Sequence, residues 1–531
     1  MKNILFSLLI GLTCVLQAIP ISFNMQEINV TNAIANQNYD QTLRIFSNSN
    51  DSQEITILHR NRSFSLTDTL FTLAAHDSID IAISFNGKHN IAYKDVFYFI
   101  NSDNQVPSIL EANVPVNYTE SIYTTTYNKW DNELKTAIFN LINNHTALGY
   151  NGARQEMFGT IDNVDGWVEC VYTGQMVQTN GIPDVNTQHM NTEHTWPQSY
   201  GASGDAKSDL YHLYPANETA NSIRGNLPFG NVVSGQNWSV GGSKRGYNES
   251  GTLVFEPRDV HKGDVARAMI YFAIRYNNPQ APFFNNQENT LRQWSLDDPV
   301  STKEAQRNDA IAARQHKRNA FIDHPEFIDR IYTISGSAVR PQVANYYFPI
   351  TNINAFYNEN ITLPIANYGN AALQINSVIS SSNLCTISNY PNSIPAESSG
   401  LININIGQPS SENNCTITIN TSVGTYQVTI NCQETSVDDN TIAPQYFQTS
   451  IYPNPISKQA TLELFTQEKT REPLSITVYN AKGQIIDSWH YQNTIEKVNM
   501  NFDNKKYSNG IYFLKIKQAN QEQVKKIIIM K

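Results

Sequence analysis

Apolar and polar residues alternate with a period of two at both ends of this chain, whereas the middle switches to apolar spacings of three and four. Between 20 and about 110 the runs LRIFSNSN, EITIL, IDIAISF and DVFYFI, separated by turn residues, predict strands of a small β-sandwich. Residues 342–435 repeat the style in the same order: LPIANYGNAALQINSV parallels LRIFSNSNDSQEITIL, and IPAESSGLININI parallels LAAHDSIDIAISF. Both stretches are expected to be immunoglobulin-like sandwiches. From 115 to 335, KWDNELKTAIFNLINNH, HKGDVARAMIYFAIRY and STKEAQRNDAIAARQHKR carry helical spacing, with Asp131 and Asp264 in first turns where the helix dipole favours a carboxylate. Residues 447–531 return to β, with turns at Gly483 and Gly510. The expected architecture is multidomain: a central α+β domain at 115–335, all-β sandwiches at 20–112 and 342–435, and a C-terminal β-sandwich at 447–531.

A chain of 531 residues exceeds what one core organises. Its low charged content, 16%, with abundant Asn, Ser, Thr and Tyr, suits an exported protein. Lys2, the apolar run Ile4 to Leu16 and the small Ala18 predict a signal peptide over 1–18. Cys14 in GLTC fits a lipoprotein cleavage pattern poorly. Of the other cysteines, Cys415 and Cys432 flank a hairpin with its turn near Val423-Gly424, so they could be bridged in an oxidising compartment. Cys385 competes as a partner for either, and Cys170 is expected to be a buried thiol.

Chemistry concentrates in residues 191–230, NTEHTWPQSYGASGDAKSDLYHLYPANETANSIRGNLPFG. Phosphodiester hydrolysis needs a cation against developing charge and a base that is neutral at working pH, and His is the natural base. Glu193 sets a hard oxygen ligand beside His194. Asp209 and His212 form a second acid–imidazole pair. Pro215 to Arg224 reads as a short helix ended by Gly225, placing Asn217, Asn221 and Arg224 on one face, an amide ligand and a phosphate clamp. Asn217 is expected as a cap rather than a ligand. Arg267 with Glu256 would be a buried ion pair bracing the site. The net charge of −10, and about −5 over 121–330, rules out a globally basic surface that steers phosphate. A local patch is therefore required, and Arg314, Lys317 and Arg318 are candidates.

EHTWP, SDLYHLYP, and NSIRGN with PFG resemble the bacterial endonuclease I family, secreted or periplasmic nucleases of the ββα-metal superfamily. The likeness continues through FEPRDVHKGDVARAMIYFAIRY and RQHKRNAFIDHPEFIDRIY, with Ala320 where the family often has Pro. The resemblance implies Mg²⁺-dependent cleavage (Mn²⁺ or Ca²⁺ as substitutes) of DNA, RNA or both, with little sequence preference and 5′-phosphate products. It places the general base on His194 and metal ligands on Glu193 and Asn221. Arg224 belongs to the motif, and its phosphate contact is inferred from chemistry. Asp209, His212, Asn226, Glu256 and Arg267 are supporting candidates. IYPNP, LSITVYNAKGQII and NGIYFLKI resemble the type A sorting domain of type IX secretion, which implies recognition by that machinery and a secreted or outer-membrane-surface location. No stable protein partner is implied. The competing readings are a non-catalytic surface-binding protein with a degenerate central domain, and a zinc hydrolase using His194 and His212. The latter lacks an HExxH or paired-Cys pattern.

Overall fold

The computed structural model describes residues 19–434 apart from 180, 278–280 and 410. It also describes 447–530 apart from 453, 455, 467–472, 481, 493–496, 503–505 and 519–520. The expected signal segment with Cys14, and the polar stretch around Asp438 and Asp439, lie outside the described residues. The chain divides into one compact unit ending at Gln433 and a second from Glu434. Among the described residues no helix is long and apolar enough to cross a membrane.

The four strands expected near the N-terminus all form, as Asn38–Ser47, Gln53–Leu58, Ser78–Asn86 and Ala92–Asn101. They belong to two sheets whose inward residues, among them Leu43, Ile45, Ile55, Ile81, Phe97 and Val114, close one core. Residues 346–433 build a second pair of sheets around Ile361, Leu363, Ile402, Ile404, Ile417 and Ile430. The internal likeness read from sequence extends to strand pairing. Asn38–Ser47 pairs antiparallel with Ser78–Asn86, and the corresponding Asn360–Asn367 pairs antiparallel with Ser398–Ile406. The run DVFYFI is apolar on both faces because its second face packs on the other sandwich. There Tyr98 Oη donates to the Pro364 carbonyl at 2.8 Å and Tyr368 Oη donates to that of Val96 at 2.6 Å.

The disulfide joins Cys385 to Cys415, a loop of 30 residues, and Cys432 is a buried thiol. The hairpin turn explains why Cys415 is not bridged to Cys432. Thr421 pairs with Gly424, one position earlier than the sequence suggested, so Cys415 faces Ile430. Cys415 instead crosses to a strand of the opposite sheet. Chain-entropy arguments give such a loop about 3–4 kcal/mol. Thermal unfolding with and without dithiothreitol should show that loss. An unchanged melting temperature would mean the crosslink contributes nothing.

The C-terminal unit contains sheets ordered Phe447–Tyr452, Gln459–Thr466, Lys497–Asn501 and Ile485–Tyr491, Leu474–Asn480, Gly510–Gln518, Gln521–Ile529. Leu462, Ile476, Val478, Leu514, Ile516 and Ile527 are buried in its core.

The central region forms mixed α/β structure. Helices Asp131–Ile142, Lys262–Arg275 and Thr302–Gln315 match the predicted periodicities. Val265 to Ile274 is buried almost without interruption, so this helix runs through the core rather than along its surface. Gly263 lets its first turn approach the Asp298 carbonyl, which an added Cβ would meet at 2.0 Å. Strand Met190–His194 pairs antiparallel with Leu213–Asn217, and helix Glu218–Arg224 follows directly. The helix is shorter than the sequence indicated. Pro215 lies in the strand, which it can do because each member of a two-stranded sheet is an edge.

Candidate active site

Glu193 and His194 are the last two residues of their strand, opposite Tyr214 and Leu213. Alternation sends adjacent side chains to different surroundings. Glu193 enters a buried pocket where Tyr172 Oη donates to Oε1 at 2.9 Å and Arg224 Nε lies 3.4 Å from the same oxygen. Burial raises its pKa, against the lowering effects of Arg224, the Tyr172 hydrogen bond and His261.

His194 turns towards the segment 198–212. Its Nε2 lies 3.1 Å from the Lys207 carbonyl, which can only accept, so Nε2 carries the proton and Nδ1 is the basic nitrogen. The Gln198 amide nitrogen sits 3.4 Å from Nδ1, a geometry consistent with donation to that lone pair. Burial, then the neighbouring His212, push its pKa down to about 3, so the ring is neutral at ordinary pH. Tyr150 stacks on it at 5.6 Å between ring centroids.

Helix Glu218–Arg224 docks on this strand end. Asn217 caps it, accepting from Thr219 and Ala220 N–H, and Gly225 ends it at positive φ. Asn221 Nδ2 donates to the Thr192 carbonyl at 3.1 Å. Its Oδ1 has no protein partner among the described residues. One turn on, Arg224 is 1% exposed, donating to the carbonyls of Thr195 at 2.6 Å and Gly225 at 2.9 Å, with Phe229 under its guanidinium. The expected phosphate-facing guanidinium is thus corrected. The bond to Thr195, just past the strand end, fastens helix to strand, and the bond to Gly225 closes the helix's own C-terminus.

The supporting candidates separate. Asp209 is fully buried, accepting from Tyr211 N–H and from the hydroxyls of Tyr271 at 3.0 Å and Tyr276 at 2.8 Å. His212 donates from Nε2 to the Ala206 carbonyl at 2.6 Å, and its ring lies 5.6 Å from that of His194. Among the described residues Asn226 donates from Nδ2 to Ser199 Oγ at 3.4 Å. The expected Arg267–Glu256 pair does not form: Arg267 binds Glu304 at 2.6 Å, one helix face against another, while Glu256 binds Lys262 at 2.8 Å. Arg314 and Arg318 are likewise committed, to Glu156 and to Asp309 and Asp323. Ala320 opens a short helix, a first-turn position that Pro would also accept. Sequence reasoning missed Tyr172 and His261 beside Glu193, and Tyr150 and Gln198 beside His194. Tyr172, His261 and Tyr150 come from distant segments and carry no local spacing signal, while Gln198 lies four residues past His194, beyond a bend that no periodicity marks.

Glu193 and Asn221 supply two hard oxygens, and both side chains are anchored at the end of one strand. Mg²⁺ keeps several waters and needs few protein ligands, so this donor set fits it. Among the described residues no group of three or more His, Cys, Asp or Glu forms a metal cluster.

Two histidines other than His194 give a pH test. His89 is held near 4 by burial and the Arg330 charge, and His212 near 4 by burial. An unfolded chain protonates each near 6.5. Stability from this source is therefore complete above about 6.5 and is lost as pH falls towards 4. Melting temperatures should drop across that window and drop less in His89→Gln. An equal drop in both proteins would remove His89 from the account.

A family model for endonuclease I matches residues 131–326, and one for a secretion-system C-terminal sorting domain matches 450–530. The extracellular ribonuclease of Bacillus subtilis (strain 168) is 32% identical over 250 residues, 40% of this chain and 79% of that protein. The extracellular ribonuclease of Bacillus amyloliquefaciens is 34% identical over 235 residues, 40% of this chain and 78% of that protein. A mixed α/β core with an acid, an imidazole and an amide at one strand end is thus a nuclease domain. The chain belongs to the endonuclease I family, and its sorting domain marks it as an exported enzyme.

Proposed function

We propose that the protein is a metal-dependent endonuclease of the ββα-metal type that hydrolyses DNA, RNA or both with little sequence preference. The observation that carries this reading is the fixed tautomer of His194: the Lys207 carbonyl holds Nε2–H and leaves Nδ1 as the basic nitrogen, which takes a proton from water once the long Gln198 contact at 3.4 Å is displaced. Glu193 and Asn221 would hold the cation. When bound, Mg²⁺ supplies Lewis acidity, which acidifies water and offsets charge on the phosphate and leaving 3′-oxygen. In-line attack with loss of the 3′-oxygen leaves 5′-phosphate ends.

Arg224 acts through others. It fastens the Asn221 helix to the strand and partly compensates the Glu193 carboxylate. Asp209 and His212 order the loop whose carbonyl orients His194. The flanking sandwiches, at 20–112 and 342–435, are assigned as immunoglobulin-like domains around a catalytic domain at 115–335, and the C-terminal domain is assigned to type IX secretion.

Incubating purified protein with plasmid DNA and with RNA, in Mg²⁺ or in EDTA, tests the reading. Cleavage in Mg²⁺, its loss in EDTA and its return with Mg²⁺ are expected. Cleavage indifferent to EDTA would overturn metal dependence, and no cleavage in any cation would favour a binding protein with a degenerate domain.

A further inference from the structure

An acidic enzyme acting on a polyanion needs a local cationic site, and of the basic residues the sequence offered for it Arg314 and Arg318 are tied up by carboxylates. Around His194 two are not. Tyr150 and Arg154 are four apart on helix Gly149–Glu156 and so share a face. Lys207 sits in the turn Gly204–Ser208 whose carbonyl fixes the His194 tautomer. Both cations gather on the Tyr150 ring, Lys207 Nζ at 4.8 Å and the Arg154 guanidinium carbon at 5.8 Å from its centroid. Neither has a carboxylate partner among the described residues. Arg154 is pre-set by Nε donation to Thr192 Oγ1 at 3.0 Å and Nη2 donation to Asn186 Oδ1 at 2.9 Å. Thr192 precedes Glu193 and its carbonyl holds Asn221, so Arg154 is anchored to the strand that carries the site. That leaves three of its five N–H donors unspent.

We propose that Arg154 and Lys207, organised by the Tyr150 ring, form a clamp for the phosphodiester backbone beside the scissile bond. This rests on the reading of His194 as the hydrolytic base. The clamp provides the attraction that the net charge denies the surface as a whole, and it sits against the base rather than on residues 314–318 where the sequence suggested it. Tyr150 is a positioning residue, holding the two cations together and abutting the imidazole.

The test uses full-length protein carrying His194→Ala and a fluorescein-labelled, unstructured RNA oligonucleotide, with anisotropy followed across a KCl series. Adding Lys207→Met or Arg154→Met should weaken binding about tenfold, the worth of one charge-assisted hydrogen bond. Each should also flatten the log K against log salt slope by about 0.7, one phosphate contact on a single strand. With His194 intact, the same substitutions should raise KM and leave kcat unchanged. Tyr150→Leu should raise KM and Tyr150→Phe should restore it, whereas Lys88→Met, remote in sequence, serves as the charge control. Unaltered affinity and salt slope in both methionine variants would overturn the clamp. Undiminished cleavage by His194→Ala alone would instead overturn the catalytic reading beneath it, while the binding data still judge the clamp.

Discussion

Replacing His194 by alanine is expected to lower kcat/KM by about 10²–10⁴-fold, the range a positioned general base contributes. The loss should fall on kcat, because the ring is nearly buried and its contacts are the Lys207 carbonyl, Gln198, His212 and Tyr150. Removing a neutral ring leaves a small cavity, with the Lys207 carbonyl losing its donor. A stability cost of about 1–3 kcal/mol for that unpaired group is expected. It is too small to unfold a typical domain, so the activity loss can be read as chemistry if circular dichroism stays native. Wild-type turnover in this variant would remove His194 from the base role.

Glu193→Gln is expected to have the second large effect. Losing the anionic oxygen should reduce cleavage by about 10²–10³-fold, the scale seen when one preorganised electrostatic group is lost. It should also shift the Mg²⁺ dependence to higher concentration. Two opposing terms decide its stability. Breaking a buried ion pair typically costs about 3–5 kcal/mol because the surviving charge is stranded. Here Arg224 Nε is 3.4 Å away and the guanidinium keeps its carbonyl partners, while Glu193 sheds the desolvation that raises its pKa. The cost should therefore lie at or below the low end. A melting temperature lowered by no more than about 6–12 °C, with a displaced Mg²⁺ titration, is the expected signature. An unshifted titration would mean the carboxylate holds no metal.

Much of the fold was legible in the sequence because alternation and helical spacing are local consequences of which face is buried. LRIFSNSN, IDIAISF and HKGDVARAMIYFAIRY announce their elements directly. The acid–imidazole pair at a strand end was legible for the same reason, with Pro197 following the strand. What failed depended on partners. Pro215 carries equal meaning at a helix start and on an edge strand, and only the pairing with Thr192 decides between them. The Arg267 partner sits on another helix, and a one-position turn shift moved Cys415 away from Cys432. Tyr172, His261, Tyr150 and Arg154 reach the site across the sequence, so no spacing rule finds them. Arg224 was recognised as part of the site, but its burial, and hence its role, is a tertiary property.

Binding of Mn²⁺, as a spectroscopic stand-in for Mg²⁺, to wild-type, His194→Ala and Glu193→Gln proteins tests the account most directly, with cleavage measured on the same samples. Glu193 and Asn221 as ligands and His194 as base predict that His194→Ala binds one ion with wild-type affinity yet fails to cut, while Glu193→Gln loses the ion. Equal Mn²⁺ affinity in all three proteins, or cleavage by His194→Ala at the wild-type rate, would contradict it.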